Sequence, residues 1–264
     1  MNIDPKEIGI GILDLYTQEN VQNCWNSIPD KYKNHDDLLT RVYVTNNNNN
    51  KPVGAQTKPY TSPIQIAAMR NHLIYQMRLR NCKYYFILNS NVTITDPDIF
   101  EKTIKLAENF GTWVIFGPSD QNTPIEDDEK NITLNLSKTF NPDFMFLSSN
   151  IIEENGFFDE KYFNGKNIDV LDYVLKLRNK KMYPPTNFHP TIVSGVEYAS
   201  GKINKMGFAD IPDHTDQGVK MAYSVFFVNH KYIPTETDPP HVSDEVLLEE
   251  IQEIQKKYAK NDTK

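Results

Sequence analysis

In YYFILNSNVTITDPD, residues 84 to 98, an apolar run breaks into Asn89, Ser90 and Asn91 before a helix-start signal at Asp96-Pro97. A turn at the end of a strand can hold a diphosphate through a divalent cation when alternate side chains are carboxylates that project together toward the ion. Here the three side chains offer neutral carbonyl and hydroxyl oxygens, so affinity for Mg or Mn is expected to fall steeply. The same residues also suit a plain turn, because Asn tolerates left-handed geometry and caps helices. Asp169 and Asp172 stand three apart in a helical segment, on neighbouring positions of one face. One of them could serve as a general base toward a hydroxyl; both could equally complement the helix dipole. His189 and His214 are the side chains that could replace a missing carboxylate ligand, against a reading as ordinary loop histidines. Phosphate can also be neutralised without a metal, and Arg70, Lys202 and Lys205 are the candidates for that role, the two lysines on a Gly-containing segment able to close as a lid. Arg70 reads equally as a salt-bridged or solvated helix residue.

These residues need a scaffold that brings them to one edge. IGIGIL (8–13) reads as a strand ending at Asp14, followed by a helix with Val21, Cys24, Trp25 and Ile28 on one side and Thr17 as its cap. LLTRVYV (38–44) is a second strand, and the polar, Pro-containing stretch after it reads as a loop. Ser62-Pro63 starts a helix carried on by Ile66, Met69, Leu73 and Met77. KYYFIL is a buried strand, the helix after Asp96-Pro97 turns Phe100, Ile104 and Ala107 inward, and WVIFG (113–117) is another strand. Residues 119–131 read as a charged loop, DFMFLSSNIIEENG as a strand feeding a short helix that stops at Gly156, and IDVLDYVLKLRNKK as a helix with Ile168, Leu171 and Leu175 inward. Beyond Met182 the pattern is irregular, with a strand-like MAYSVFFV (221–228) and a closing helix with Leu247, Ile251, Ile254 and Tyr258 at heptad-like spacing. Strand, helix, strand, helix, strand predicts an α/β fold with a mostly parallel sheet flanked by helices and its ligands at the C-terminal ends of the strands.

The chain of 264 residues, 39% hydrophobic and 24% charged, has the composition of a globular protein and no apolar run long enough to cross a bilayer. MNIDPKEIG lacks the basic and apolar regions of a signal peptide, so a cytosolic location is expected. A net charge of −7 argues against a general nucleic-acid binder, leaving room only for a local basic patch at Arg70, Arg78, Arg80 and Lys83. Cys24 and Cys82, far apart and without metal-like spacing, read as reduced, packed thiols.

Four stretches, in order, carry a family resemblance: GIGILD with the helix ending in WNSI, AAMRN (67–71), YYFILNSNVTITDPDIF, and NGFFDEKYFNGKNIDVLDYVLKL. Across roughly residues 7 to 183 the chain resembles a glycosyltransferase of the GT-A (Rossmann-like) fold, closest to the family-2-type group. The resemblance implies a catalytic domain at 1–183 and a C-terminal extension at 184–264, on the acceptor side, ending in a helix at 243–260. It implies transfer of a sugar from a nucleotide-sugar donor to a hydroxyl acceptor on a glycan, protein or modified DNA base, with inversion. Asp14 would lie near the nucleobase or ribose, and Arg70 with Asn71 near the ribose and phosphates. Asn89 and Asn91 stand where the family has its metal-binding acidic pair, and Asp169 or Asp172 where it has its general base. The usual Glu-Asp pair has become Ile168-Asp169, and Met206 replaces an aromatic in YASGKINKMGF. Weak or absent metal dependence is the expected consequence. Two other outcomes stay open: a non-catalytic relative that binds a nucleotide, glycan or protein, and a phage- or virus-type enzyme acting on modified DNA bases. The terminal helix could also pair two copies of the chain.

Overall fold

The computed structural model describes residues 3–14, 18–33, 39–44, 56–60, 66–119, 122–127, 132–137, 140–160, 168–183 and 189–199. The alternation expected from the sequence is present: β1 (Ile8–Asp14), α1 (Gln18–Ser27), a one-turn α2 (Asp30–Lys33), β2 (Leu39–Val44), β3 (Gln56–Tyr60), α3 (Ile66–Leu79) and β4 (Tyr84–Asn89). There follow β5 (Val92–Ile94), α4 (Ile99–Phe110), β6 (Val114–Gly117), β7 (Asn122–Asp127), β8 (Ile132–Ser137), β9 (Asn141–Ser148), α5 (Ser149–Asn155), α6 (Ile168–Asn179), β10 (His189–Thr191) and β11 (Val196–Tyr198).

Nine strands form one sheet in the order β3-β2-β1-β4-β9-β6-β10-β8-β7, and β11 pairs with β5 in a small second sheet. The α/β class holds, and the sheet is mixed. It is parallel from β3 to β4 and between β6 and β10, but β9 runs antiparallel to both β4 and β6. Two further differences have local causes. The charged stretch expected to be a loop contains β7, which closes a hairpin with β8 at one margin, and the polar stretch after β2 contains β3 at the other. Margin strands tolerate proline, and Pro59 and Pro124 sit in these two. β10 lies past residue 183 yet is inserted between β6 and β8.

One face of the sheet packs Ile8, Ile10, Ile12, Phe86 and Leu88 against α1 and α4, through Cys24, Trp25, Phe100, Ile104 and Ala107. The other packs Leu13, Tyr85 and Ile87 against α3, α5 and α6, through Met69, Leu73, Met77, Ile151 and Val174. Of the residues expected inward on α6, Leu175 is buried and Leu171 half-buried, and Val170, Tyr173, Val174 and Leu177 are buried as well. The last four obey the i, i+3, i+4, i+7 spacing, so the helix is amphipathic as expected, with a wider buried side. The Ser148 hydroxyl caps α5, and Gly156, at φ 79°, ends it. Among the described residues no helix is long and apolar enough to cross a membrane.

Candidate functional site

The C-terminal edge of β1 and β4 is built by close packing. Gly9 and Gly11 of β1 leave no room for a Cβ: one at Gly9 would come 2.6 Å from Met77 Sδ, and one at Gly11 2.8 Å from Leu73. α3 therefore lies flush on β1 and antiparallel to it. Continuing the same step brings its first turns, with Met69, Arg70 and Asn71, to the level of Leu13, which is paired with Asn89. The Ser90 amide donates to the Leu13 carbonyl at 2.9 Å and fixes the turn after β4.

At that turn the structure supplies a carboxylate that the local sequence lacks. Asn89 and Asn91, both buried, each donate from Nδ2 to Asp143 of β9, Asn89 to Oδ1 and Asn91 to Oδ2, the latter at 2.8 Å. Because β9 is antiparallel to β4, its N-terminal end meets the C-terminal end of β4, and Asp143 arrives one residue before Phe144, the partner of Leu88. Asn141 Oδ1 accepts from the Asp143 amide at 3.0 Å and holds it there. Tyr198 of β11 stands nearby; burial and then the Asp143 charge push its phenol pKa up. The sequence reading missed Asp143 and Tyr198. The available signal was an acid opening the apolar run DFMFL, as Asp14 closes the run IGIGIL.

Arg70 and Asp169 come together in a buried ion pair between α3 and the first turn of α6. The guanidinium carbon of Arg70 also lies 5.9 Å from the Phe158 ring centre. Arg70 is only 1% exposed, so it does not belong to a basic surface with Arg78 and Arg80, and Lys83 pairs with Glu7. Asn71 is a clasp: its side chain accepts from the Phe158 amide and donates to the Phe158 carbonyl and to Glu160, all at 2.9 Å. Asp172 is fully buried and pairs with Lys176 at 2.7 Å, one turn along α6.

His189 sits in β10 with Nδ1 3.1 Å from the Tyr183 hydroxyl and its ring against Phe116 and Phe140. Burial first, then the Arg178 charge, holds its pKa well below the usual histidine range. Asp14 is the last residue of β1, paired with Tyr43. Lys202, Lys205, His214, the run at 221–228 and the terminal helix lie outside the described residues.

Mg and Mn sites call for several oxygen ligands with negative charge among them. Among the described residues no three His, Cys, Asp or Glu side chains gather where they could hold a metal ion. Among the described side chains at the turn, Asp143 is engaged at both oxygens by amide N–H groups, and Asn89 Oδ1 and Asn91 Oδ1 are neutral acceptors. This donor set does not fit a tight divalent-cation site.

No family model and no curated protein sequence matches the chain. Among solved structures it is similar to S. aureus TarS in complex with UDP-GlcNAc, at 11% identity over 94% of this chain and 71% of that one, with a TM-score of 0.47. It is also similar to the mannosyltransferase PcManGT from Pyrobaculum calidifontis in complex with GDP-Man and Mn2+, at 11% identity, 89% and 79% coverage and a TM-score of 0.45. A197 from STIV matches at 14% identity, 56% and 67% coverage and a TM-score of 0.34.

Proposed function

We propose that the chain is a glycosyltransferase of the GT-A type that moves a sugar from a nucleotide-sugar donor to a hydroxyl acceptor, with inversion and without reliance on a divalent cation. The observation that supports this reading is the buried Arg70–Asp169 pair at the strand edge that also carries the Asn89, Asn91 and Asp143 cluster. A guanidinium suits a diphosphate leaving group, which it can engage through two charge-assisted hydrogen bonds. When the diphosphate takes up Arg70, Asp169 is released as an ionised carboxylate able to accept the acceptor proton. The acceptor oxygen then bonds to the anomeric carbon as the bond to the phosphate oxygen breaks, and the electron pair leaves with the nucleoside diphosphate. Asp169 is favoured over Asp172 because Asp172 is fully buried and held by Lys176.

A second reading has its own support: both aspartates are engaged by cations, as they would be in a non-catalytic protein that uses the cleft only for binding. Asp169→Asn separates the two. Catalysis predicts that release of nucleoside diphosphate falls at least about 100-fold while donor affinity stays within a few-fold. Donor binding with no turnover in either form would establish the binding protein instead.

A further inference from the structure

Resting on that reading, we propose that Asn71 is a positioning residue: it clasps the backbone of Phe158, and the Phe158 ring in turn sets where Arg70 of α3 meets Asp169 of α6. The resemblance implies a place for Asn71 near the ribose and phosphates of a donor; its hydrogen bonds run to the segment between α5 and α6 instead. One Nδ2 hydrogen goes to the Phe158 carbonyl and the other to Glu160 Oε1, while Oδ1 accepts from the Phe158 amide. A side-chain amide has two donor hydrogens in all, so neither reaches a phosphate oxygen unless the clasp is undone.

Phe158 lies between the two helices that carry the ion pair. Two residues that exchange both N–H and C=O bonds do so as neighbours in an antiparallel ladder, and the Asn71 amide takes the place of such a neighbour for this one residue. The Phe158 ring is buried and stacks on Tyr173, with centres 4.3 Å apart and planes at 28°. Tyr173 stands one turn along α6 from Asp169, and its hydroxyl donates to the Gly156 carbonyl at 3.0 Å. Lys176, on the same helix, lies 3.9 Å from Asp159. Gly156, Phe158, Asp159 and Glu160 are thus each held by α3 or α6, and the Arg70–Asp169 pair closes the same circuit. A general base has to stand within hydrogen-bond reach of the proton it takes, and a misplacement of about 1 Å is enough to cost roughly 100-fold in rate. The clasp fixes Asp169 to that tolerance without touching the ligand.

Three readouts on the full chain test this, with UDP-glucose, GDP-mannose and ADP-glucose as donor probes and chelator present. They are donor affinity by calorimetry, release of nucleoside diphosphate with water as acceptor, and protection from hydrogen exchange of the Arg70 guanidinium N–H signals by NMR, identified by their loss in Arg70→Lys. In Asn71→Ala the guanidinium protection is expected to disappear and release to fall at least about tenfold, with donor affinity within a few-fold of the original. Phe158→Leu keeps both backbone bonds to Asn71 and should repeat that pattern; it carries the test alone if Asn71→Ala does not fold. The double variant should be little worse than either single one, because both act through one contact. If the unaltered chain releases nothing from any probe, and Asn71→Ala still costs Arg70 its protection, the transferase reading fails and the clasp stands. A loss of donor affinity of about tenfold or more with the Arg70 signals intact makes Asn71 a direct ligand contact and overturns the proposal. Intact signals with unchanged release overturn it as well, since the clasp is then structural only.

Discussion

Replacing Arg70 with Met while leaving Asp169 in place strands a buried carboxylate without its counter-charge. Such a loss costs about 3–5 kcal/mol, whereas replacing both partners by apolar side chains of similar volume is often neutral. Urea denaturation is therefore expected to show Arg70→Met strongly destabilised and Arg70→Met with Asp169→Leu recovering most of the loss. His189 gives a pH signature. Its folded pKa lies well below the unfolded value near 6.5, so the unfolded chain takes up a proton first as pH falls. Its neutral form costs nothing above pH 6.5; below that, stability should decline by up to about 1.4 kcal/mol per pH unit until the folded ring also titrates. His189→Asn, beside Tyr183 and Arg178, should flatten that part of the stability curve measured between pH 7 and pH 5. Asn89, Asn91 and Asp169 stood out as polar side chains at predicted element ends, and Arg70 as a cation within a predicted helix. Their partners were illegible: Asp143 lies 54 positions from Asn89 and reaches it only through an antiparallel pairing that no local pattern encodes.

α3 depends on the two glycines of β1 for its closeness to the sheet. A methyl group at Gly9 would meet Met77 Cβ at 2.9 Å as well as the more adaptable Sδ, so the helix itself must move. Alanine in a strand interior gains roughly 0.5–1 kcal/mol over glycine from chain entropy, but overpacking of this kind costs about 1–3 kcal/mol and wins. Gly9→Ala is expected to lower the urea midpoint with an unchanged m-value, and to weaken donor binding, because Arg70 and Asn71 ride on the displaced helix. Elements with strong periodicity were legible: β1, β4, β6, α3 and α4 fall where their apolar spacing puts them. β3 and β7 were not, since a margin strand buries little and is free to be polar, charged or Pro-containing. The full width of the buried side of α6 escaped for a related reason: it includes Asp169 and Asp172, which hydrophobicity alone does not place inward.

The described residues form a mixed sheet with helices on both faces, parallel on the side that carries β1 and β4 and stitched by the reversed β9 to the β6, β10, β8 and β7 side. The reversal delivers the N-terminal end of β9, with Asp143, to the edge where the parallel strands finish. A net charge of −7 argues against general nucleic-acid binding, and the burial of Arg70 removes it from the basic patch expected with Arg78, Arg80 and Lys83. A thermal-shift panel of nucleoside diphosphates and nucleotide sugars, each with Mn, with Mg and with chelator, tests the central claim most directly, since a ligand that binds the native state raises its midpoint. The account predicts that at least one nucleotide sugar stabilises the chain equally with chelator and with metal. Stabilisation that appears only with Mn or Mg, or with no nucleotide at all, would contradict it.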